Sequence, residues 1–537
     1  MTAHPFSSAG RLAALEQMAS REMDLLIMGG GITGCGLARA AAMRGLSVAL
    51  VERDDFGCGT SSRSSKLIHG GLRYLEHGDV GMVWEAARER RTLRRIAPHL
   101  VHPLPFLFPI FQGNSLTKYR FGLWLFDRLA GAAPADRYQM LTAEELLQKL
   151  PGLRRDMKGG FMYGEYVTDD ARLTLENALS AAEYGALLAN HAPALALDQE
   201  RGRVVGATVR DELSGLTHRV RARVTVNATG PWAAATLALS GKPSPKALLP
   251  SKGIHILFRA ARLPVEGAVA LIAPSGRSGF AIRRWDYVYA GTTDDSYDGP
   301  MDLITADGRA ISNLLDLVRE CFPALELTHQ DIIGTWAGLR PLIAEPGKTP
   351  RDTSRHDEVW SGPEGLLTVA GGKLTTYRPM SRRVMTYVEH ALGLAPDRSP
   401  RTGTVPLPGA RGAAPDLKAL GIGREAAERI AWLYGAHAAT LLAMGLEDSA
   451  WLEPVADGVP VLRGEVRLAV EHEMAMTVAD FLDRRSSLLL FSPDHGLSAA
   501  APVSELMGGL LGWTADQREQ QVAQYRALAA AHRSAVE

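Results

Sequence analysis

The chain has 537 residues, with 59 basic and 59 acidic side chains and a formal net charge of zero, so nothing marks a bulk nucleic-acid binder. Cys35, Cys58 and Cys321 have neither metal-ligand spacing nor the density of a disulfide framework, which suits a reducing cytosol. No apolar run reaches about 18 residues, which predicts no membrane-spanning helix, and the first 20 or so residues lack the apolar core of a secretory leader.

Residues 1–22 read as a short helical lead-in. Asp24 to Glu52, DLLIMGGGITGCGLARAAAMRGLSVALVE, is the most informative stretch. An apolar strand runs into Gly29, Gly30, Gly31, Ile32, Thr33 and Gly34, an Ala-rich helix follows, and a second apolar strand ends at Glu52. This is the order of a dinucleotide site. Gly29 permits the turn, Gly31 the approach of a pyrophosphate, and Gly34 close helix–strand packing. The helix N-terminus favours the phosphate charge, and Glu52 can accept from ribose hydroxyls.

Residues 57–78 are polar and Gly/Ser-rich, and 82–97 read as a charged helix. HPLPFLFPIF (102–111) is apolar and broken by prolines, and 117–130 is an amphipathic helix opening on basic residues. β-like runs follow at 203–210, 218–226, 254–258, 268–273 and 279–292, and a helix at about 306–321. LLTVAGG (366–372) is a strand before a helix starting near Thr375. TVPLPGARGAAP (404–415) reads as a linker, and 412–537 as a separate helical domain.

Three later features favour FAD over NAD. TSSRSSK (60–66) places Thr60, Ser61, Ser65 and Lys66 soon after the second strand. NATG (227–230), with Ala228 and Gly230, is a Gly turn at a strand end. AGGKLTTYR (370–378) brings Gly372, Leu374 and Thr375 to a helix start, whose amides suit the flavin edge that gathers negative charge on reduction.

GGGITGCG, TSSRSSKLIHGGLRYLEHGD, VNATGPW, GTTDD, GLRPL and GGKLTTYR, in this order, resemble the FAD-dependent glycerol-3-phosphate dehydrogenases of the aerobic, respiratory type. The likeness covers about residues 22–400, and the helical C-terminus resembles that family's extra domain. It implies an α/β FAD-binding Rossmann-like domain, an interleaved α+β substrate domain and an all-helical C-terminal domain. Residues 23–400 then form the oxidoreductase region. Its FAD-binding segments lie at about 23–100, 160–240 and 350–400, and its substrate segments at about 101–159 and 241–349. A linker at 401–411 follows.

The resemblance also implies non-covalent FAD, with Leu67 and His69 beside it, sn-glycerol 3-phosphate as substrate and ubiquinone or another membrane quinone as acceptor. It implies peripheral attachment to the cytoplasmic face of the cell membrane and allows a homodimer. Oxygen as acceptor stays open, because oxidases share the substrate motifs. A non-catalytic flavin-binding redox sensor is the third alternative.

A phosphate dianion asks for several cations, and Arg73, Arg340, Arg355 and Lys373 lie in or beside Gly- or Pro-marked turns, with the Tyr74 phenol next to Arg73. Taken singly, an arginine in a turn is more often a weak surface ion pair. His255, in SKGIHILF, is the first choice of base for the C2 hydroxyl, as an imidazole titrating near working pH. Arg340 and Lys373 would stabilise a developing alkoxide, and a desolvated Lys373 can itself serve as base. Cys58 reads as a small turn residue, Asp294 and Asp295 as loop and cap acids without a metal, and DFLDRRS (480–486) as a salt-bridged helix face. Lys118 and Arg120 beside aromatic residues of 102–130 suit an interfacial helix.

Overall fold

The computed structural model describes residues 4–70, 79–130, 137–242, 244–344, 356–362, 364–399, 401–417 and 421–533. Arg73, Tyr74 and Arg355 lie outside them.

The strand Met23–Met28 is apolar except at Asp24, and both its faces are covered. It lies between the parallel strands Thr217–Asn227 and Val48–Val51. The sheet continues to Leu367–Ala370 and Glu358–Ser361 on one side and to Leu187–Ala189 on the other. The strands Ala194–Glu200 and Arg203–Arg210 form an antiparallel meander with Thr217–Asn227. The helix Ile32–Met43 packs against the sheet and against the helices Asp170–Glu183 and Tyr377–Ala391. Small side chains allow this: a Cβ on Gly34 would sit 1.9 Å from the Gly29 carbonyl oxygen. The lead-in is the helix Ser8–Ser20, capped by Ser7 and anchored by a buried Arg11–Asp211 ion pair.

The second sheet is mostly antiparallel. Its order is Asp295–Ser296, Leu248–Arg259, Tyr287–Gly291, Ser278–Arg284, Ala268–Ile272, His102–Phe111, Met157–Val167 and Leu67–Ile68, and Ile332–Ile343 pairs with Leu248–Arg259. Residues 279–292 are therefore a hairpin, turning at Trp285 and Asp286, rather than one run. Met157–Val167 lies wholly in this sheet, so the chain crosses back to the first sheet after Val167 and not at 160.

HPLPFLFPIF is a strand despite its prolines. Pro103, Pro105 and Pro109 all occupy odd positions, so the missing donors fall on one edge and the other edge keeps its full set. The strand pairs along its length with Met157–Val167 and over only two residue pairs with Ala268–Ile272.

The segment 401–411 is not a loose tether. It holds the short helix Arg401–Thr404 and the turn Pro408–Ala410, and the amide of fully buried Leu407 donates to the Ile96 carbonyl at 2.8 Å. The C-terminal region is helical, as expected, but shares its core with the second sheet. Val466, Phe481, Leu489, Val503 and Tyr525 pack in one cluster with Leu257, Tyr289 and Trp336. Among the described residues no helix is long and apolar enough to cross a membrane.

Candidate active site

A cleft of about 400 Å³ opens at the C-terminal ends of the parallel strands. Gly29, Gly31, Ile32, Thr33, Glu52, Thr60, Ser61, Ala228, Gly230, Gly372, Lys373 and Leu374 all line it. Gly30 lies behind the lining, where a Cβ would meet Phe56 and Glu52. Its amide donates to Glu52 Oε2 at 2.5 Å, and the Asp54 amide donates to Oε1 at 2.9 Å. These two bonds fix the Glu52 carboxylate at the wall, and burial raises its pKa.

The cleft fits a dinucleotide. The helix Ile32–Met43 begins at Gly31, which has no side chain to cap the first turn. Among the described residues only the Ile32 amide of this first turn has a side-chain acceptor, Ser61 Oγ at 2.9 Å, and the helix N-terminus faces the cleft. At the far end Gly371 and Gly372 both take positive φ, and a Cβ on Gly372 would fall 2.2 Å from Met380 Sδ. The strand Leu367–Ala370 thus turns abruptly into the helical turn Leu374–Thr376, which starts at the cleft wall. Sequence reading missed several lining residues. The Arg53 guanidinium stacks 4.7 Å over the Trp232 ring, and Ala192–Ala194 and Pro341 complete the wall.

The other expected cofactor residues lie outside the lining. Lys66 is buried with positive φ, and its Nζ donates to Asp170 at 2.5 Å and to the Ser62 carbonyl at 3.1 Å. Leu67 belongs to the second sheet and its core, Thr375 is buried behind Leu374, and His69 is half-buried at the end of the described segment. Ser65 faces the second sheet, with its Oγ 2.9 Å from His255 Nε2.

Adjacent strands of that sheet hold the chemical candidates. His255 is 2 % exposed, stacked on Trp336 at 4.8 Å with Tyr289 against its edge. Burial, then the charges of Arg340 and Lys66, push its pKa down to about 3. This corrects the expectation of an imidazole titrating near working pH: His255 is neutral throughout the physiological range. Its Nδ1 is buried without a hydrogen-bond partner among the described residues.

Arg340 is gripped by the segment 292–294. Its Nη1 donates to Asp294 and to the Thr293 carbonyl, both at 3.0 Å, and Nη2 donates to Thr292 Oγ1 at 2.7 Å. Gly253 makes room, since a Cβ there would lie 2.5 Å from Nη2. Asp294, expected as a loop acid, is therefore the counter-ion of Arg340, and Ser251 Oγ also donates to it. Lys373 stands in the cleft lining with Pro341, the neighbour of Arg340, and its Nζ touches Met82 Sδ. The structure thus places His255 and Arg340 in one field, with Lys373 at the adjoining end of the cleft.

Glu52, Asp54 and Cys58 approach within 4.8 Å of one another, but Glu52 is committed to backbone amides. Burial and the two acids push the Cys58 thiol well up, away from the thiolate a metal or redox role needs.

Residues 24–378 match the model of the FAD dependent oxidoreductase family, and 400–518 match that of the C-terminal domain of alpha-glycerophosphate oxidase. The aerobic glycerol-3-phosphate dehydrogenase of Bacillus subtilis is 37 % identical over 536 residues, covering 96 % of each chain. The chain belongs to the family of FAD-dependent aerobic glycerol-3-phosphate dehydrogenases. A solved glycerol-3-phosphate dehydrogenase of Bacillus halodurans, complexed with FAD, superposes with a TM-score of 0.80 at 32 % identity and 99 % coverage of both chains. The L-alpha-glycerophosphate oxidase of Mycoplasma pneumoniae, at 17 % identity and a TM-score of 0.51, covers 72 % of this chain and shares the fold. The cofactor of this dehydrogenase family is FAD, and the helix terminus at Gly31, the Glu52 carboxylate and the Gly371–Gly372 turn are the parts of this chain suited to hold it.

Proposed function

We propose that this chain oxidises sn-glycerol 3-phosphate at C2 to dihydroxyacetone phosphate and passes the electrons to a membrane quinone. Bound FAD would supply the hydride acceptor. The observation that carries the reading is the pairing of a buried neutral imidazole, His255, with the fixed cation Arg340 beside the Lys373 end of the cleft.

In this reading Arg340 and Lys373 bind the phosphate dianion, with Arg73, Tyr74 and Arg355 as further candidates. Threonine and aspartate partners hold the Arg340 guanidinium in one orientation, so little side-chain entropy is lost when substrate arrives. With Nε2–H on Ser65, His255 offers Nδ1 to the C2 hydroxyl proton. The incoming dianion offsets the Arg340 charge that holds the imidazole pKa down, so the base strengthens when substrate is in place.

The quinone and membrane parts rest on a separate feature. The helices Val80–Ile96 and Leu116–Ala130 pack together and expose Trp84 (50 %), Phe121 (64 %) and Trp124 (43 %). Arg88 and Arg128 stack over the two tryptophans, and Lys118 and Arg120 are exposed on the second helix. Aromatic side chains interleaved with cations suit the headgroup region of an anionic leaflet.

The deciding experiment is anaerobic loss of the flavin's visible absorption on adding sn-glycerol 3-phosphate, with glycerol and the opposite enantiomer as controls. Bleaching by the phosphate ester alone is expected. Flavin that stays oxidised would overturn the substrate assignment. Peroxide formed stoichiometrically in air would replace the quinone by oxygen.

A further inference from the structure

The stretch 480–486, read in sequence as a salt-bridged helix face, is the π-helix Asp480–Arg485, and all six of its residues are buried. The wider helical register turns acids and arginines inward together, against the loop that lines the cofactor cleft. Arg484 Nε and Arg485 Nη1 both donate to Asp55 Oδ2 at 2.6 Å. Asp483 Oδ2 accepts from Arg63 Nη2 at 2.6 Å and from Arg484 Nη1 at 2.9 Å. Asp480 accepts from Arg484 Nη2 and lies 2.9 Å from His191 Nε2.

Asp55 and Arg63 bracket Cys58, Gly59, Thr60 and Ser61, which line the cleft, and Ser61 accepts the first amide of the cofactor helix. Arg63 itself donates to Ser62 Oγ. Between its two ends the loop is tied to the second sheet by Thr60 Oγ1, which donates to the Leu339 carbonyl.

We propose that the C-terminal domain is a working part of the FAD site: Asp483 on Arg63, and Arg484 with Arg485 on Asp55, fix the loop that forms one cleft wall, so that FAD binding and docking of this domain are linked. The inference rests on the FAD cleft and is independent of the substrate and the electron acceptor. Asp55, Arg63, Asp483, Arg484 and Arg485 are positioning residues. Linkage requires reciprocity: what loosens the clamp weakens FAD, and removing FAD loosens the domain.

The test is FAD release from diluted holoenzyme, followed by flavin fluorescence. Asp483→Asn is expected to raise the FAD dissociation constant about tenfold. Arg63→Met should do the same, the double variant no more than either alone, and Arg63→Lys should recover much of the loss. The control is Glu465→Gln, which breaks the buried Arg429–Glu465 pair, whose hydrogen bonds among the described residues all stay inside the C-terminal domain. It should leave FAD affinity unchanged. Trypsin cleavage of the wild-type C-terminal domain should slow as FAD is added. Unchanged affinity in Asp483→Asn, an equal loss in Glu465→Gln, or no protection of the wild type by FAD would each overturn the proposal.

Discussion

His255 shows how far the environment overrides a residue's ordinary chemistry. Free in water its ring would be half-charged near pH 6.5, but burial between Trp336, Tyr289 and Arg340 keeps it neutral. Its own titration then lies too low to bend the profile of kcat/KM near neutrality, and a limb there would belong to substrate phosphate or another group. His255→Asn should keep FAD bound and slow anaerobic flavin reduction by about 100-fold or more, the scale of a lost general base. Stopped-flow reduction at a near-normal rate would remove His255 from the mechanism. His191 is the opposite case. Asp480 raises its pKa, so the ion pair stabilises the fold fully below the unfolded value of 6.5 and is lost as pH rises through the folded value. His191→Asn should therefore lower the urea midpoint more at about pH 6 than at about pH 9. An equal loss at both would mean the histidine is held neutral.

At the level of strands and helices, what sequence reading recovers is what local chemistry dictates. The Gly29–Gly34 turn, the helix after it and Glu52 are legible because all lie within one βαβ unit, with no room for a Cβ at Gly29, Gly30 or Gly34. The strand His102–Phe111 is obscured because propensity counts prolines without asking on which edge their missing donors fall. The Arg53–Trp232 stack, the Ala192–Ala194 wall and the Asp294 counter-ion join segments far apart in the chain, and no local pattern announces such contacts. Lys66 has a similar history: a lysine in a Ser-rich turn invites a phosphate, yet its charge is spent on buried Asp170. The amphipathic helix Leu116–Ala130 was legible, and its exposed aromatic face gives a test at this scale. Phe121→Ser, Trp124→Ser and Leu125→Ser together should move the protein from the membrane fraction to the soluble one. Dye-linked activity should persist, since Phe121 and Trp124 face outward. Undiminished recovery in washed membranes would overturn the reading of this face as a membrane anchor.

The molecule as a whole is held together across its sequence divisions more than within them. The C-terminal helices close the apolar face of the second sheet, and charged groups stitch them to the first. Arg172, on the buried helix Asp170–Glu183, donates through Nη1 to both oxygens of Glu473 at 2.7 Å, and its guanidinium lies 4.1 Å over the Tyr434 ring. Arg284 pairs with Asp169 inside a cage of Trp285, Trp432 and Phe491, whose rings come from the hairpin and from two C-terminal helices. Such pairs add little net stability compared with apolar packing, but each becomes a liability once one partner is lost, because the other stays buried and charged. Glu473→Gln leaves Arg172 in that condition and should cost about 3 kcal/mol or more of unfolding free energy, read as a lower urea midpoint. Because the C-terminal region shares one core with the second sheet, the loss should appear in a single transition seen alike by far-UV ellipticity and by flavin release. A C-terminal transition that separates from an unmoved flavin-release transition would show two independent folding units, and the shared core would then be a contact surface rather than a common nucleus of stability.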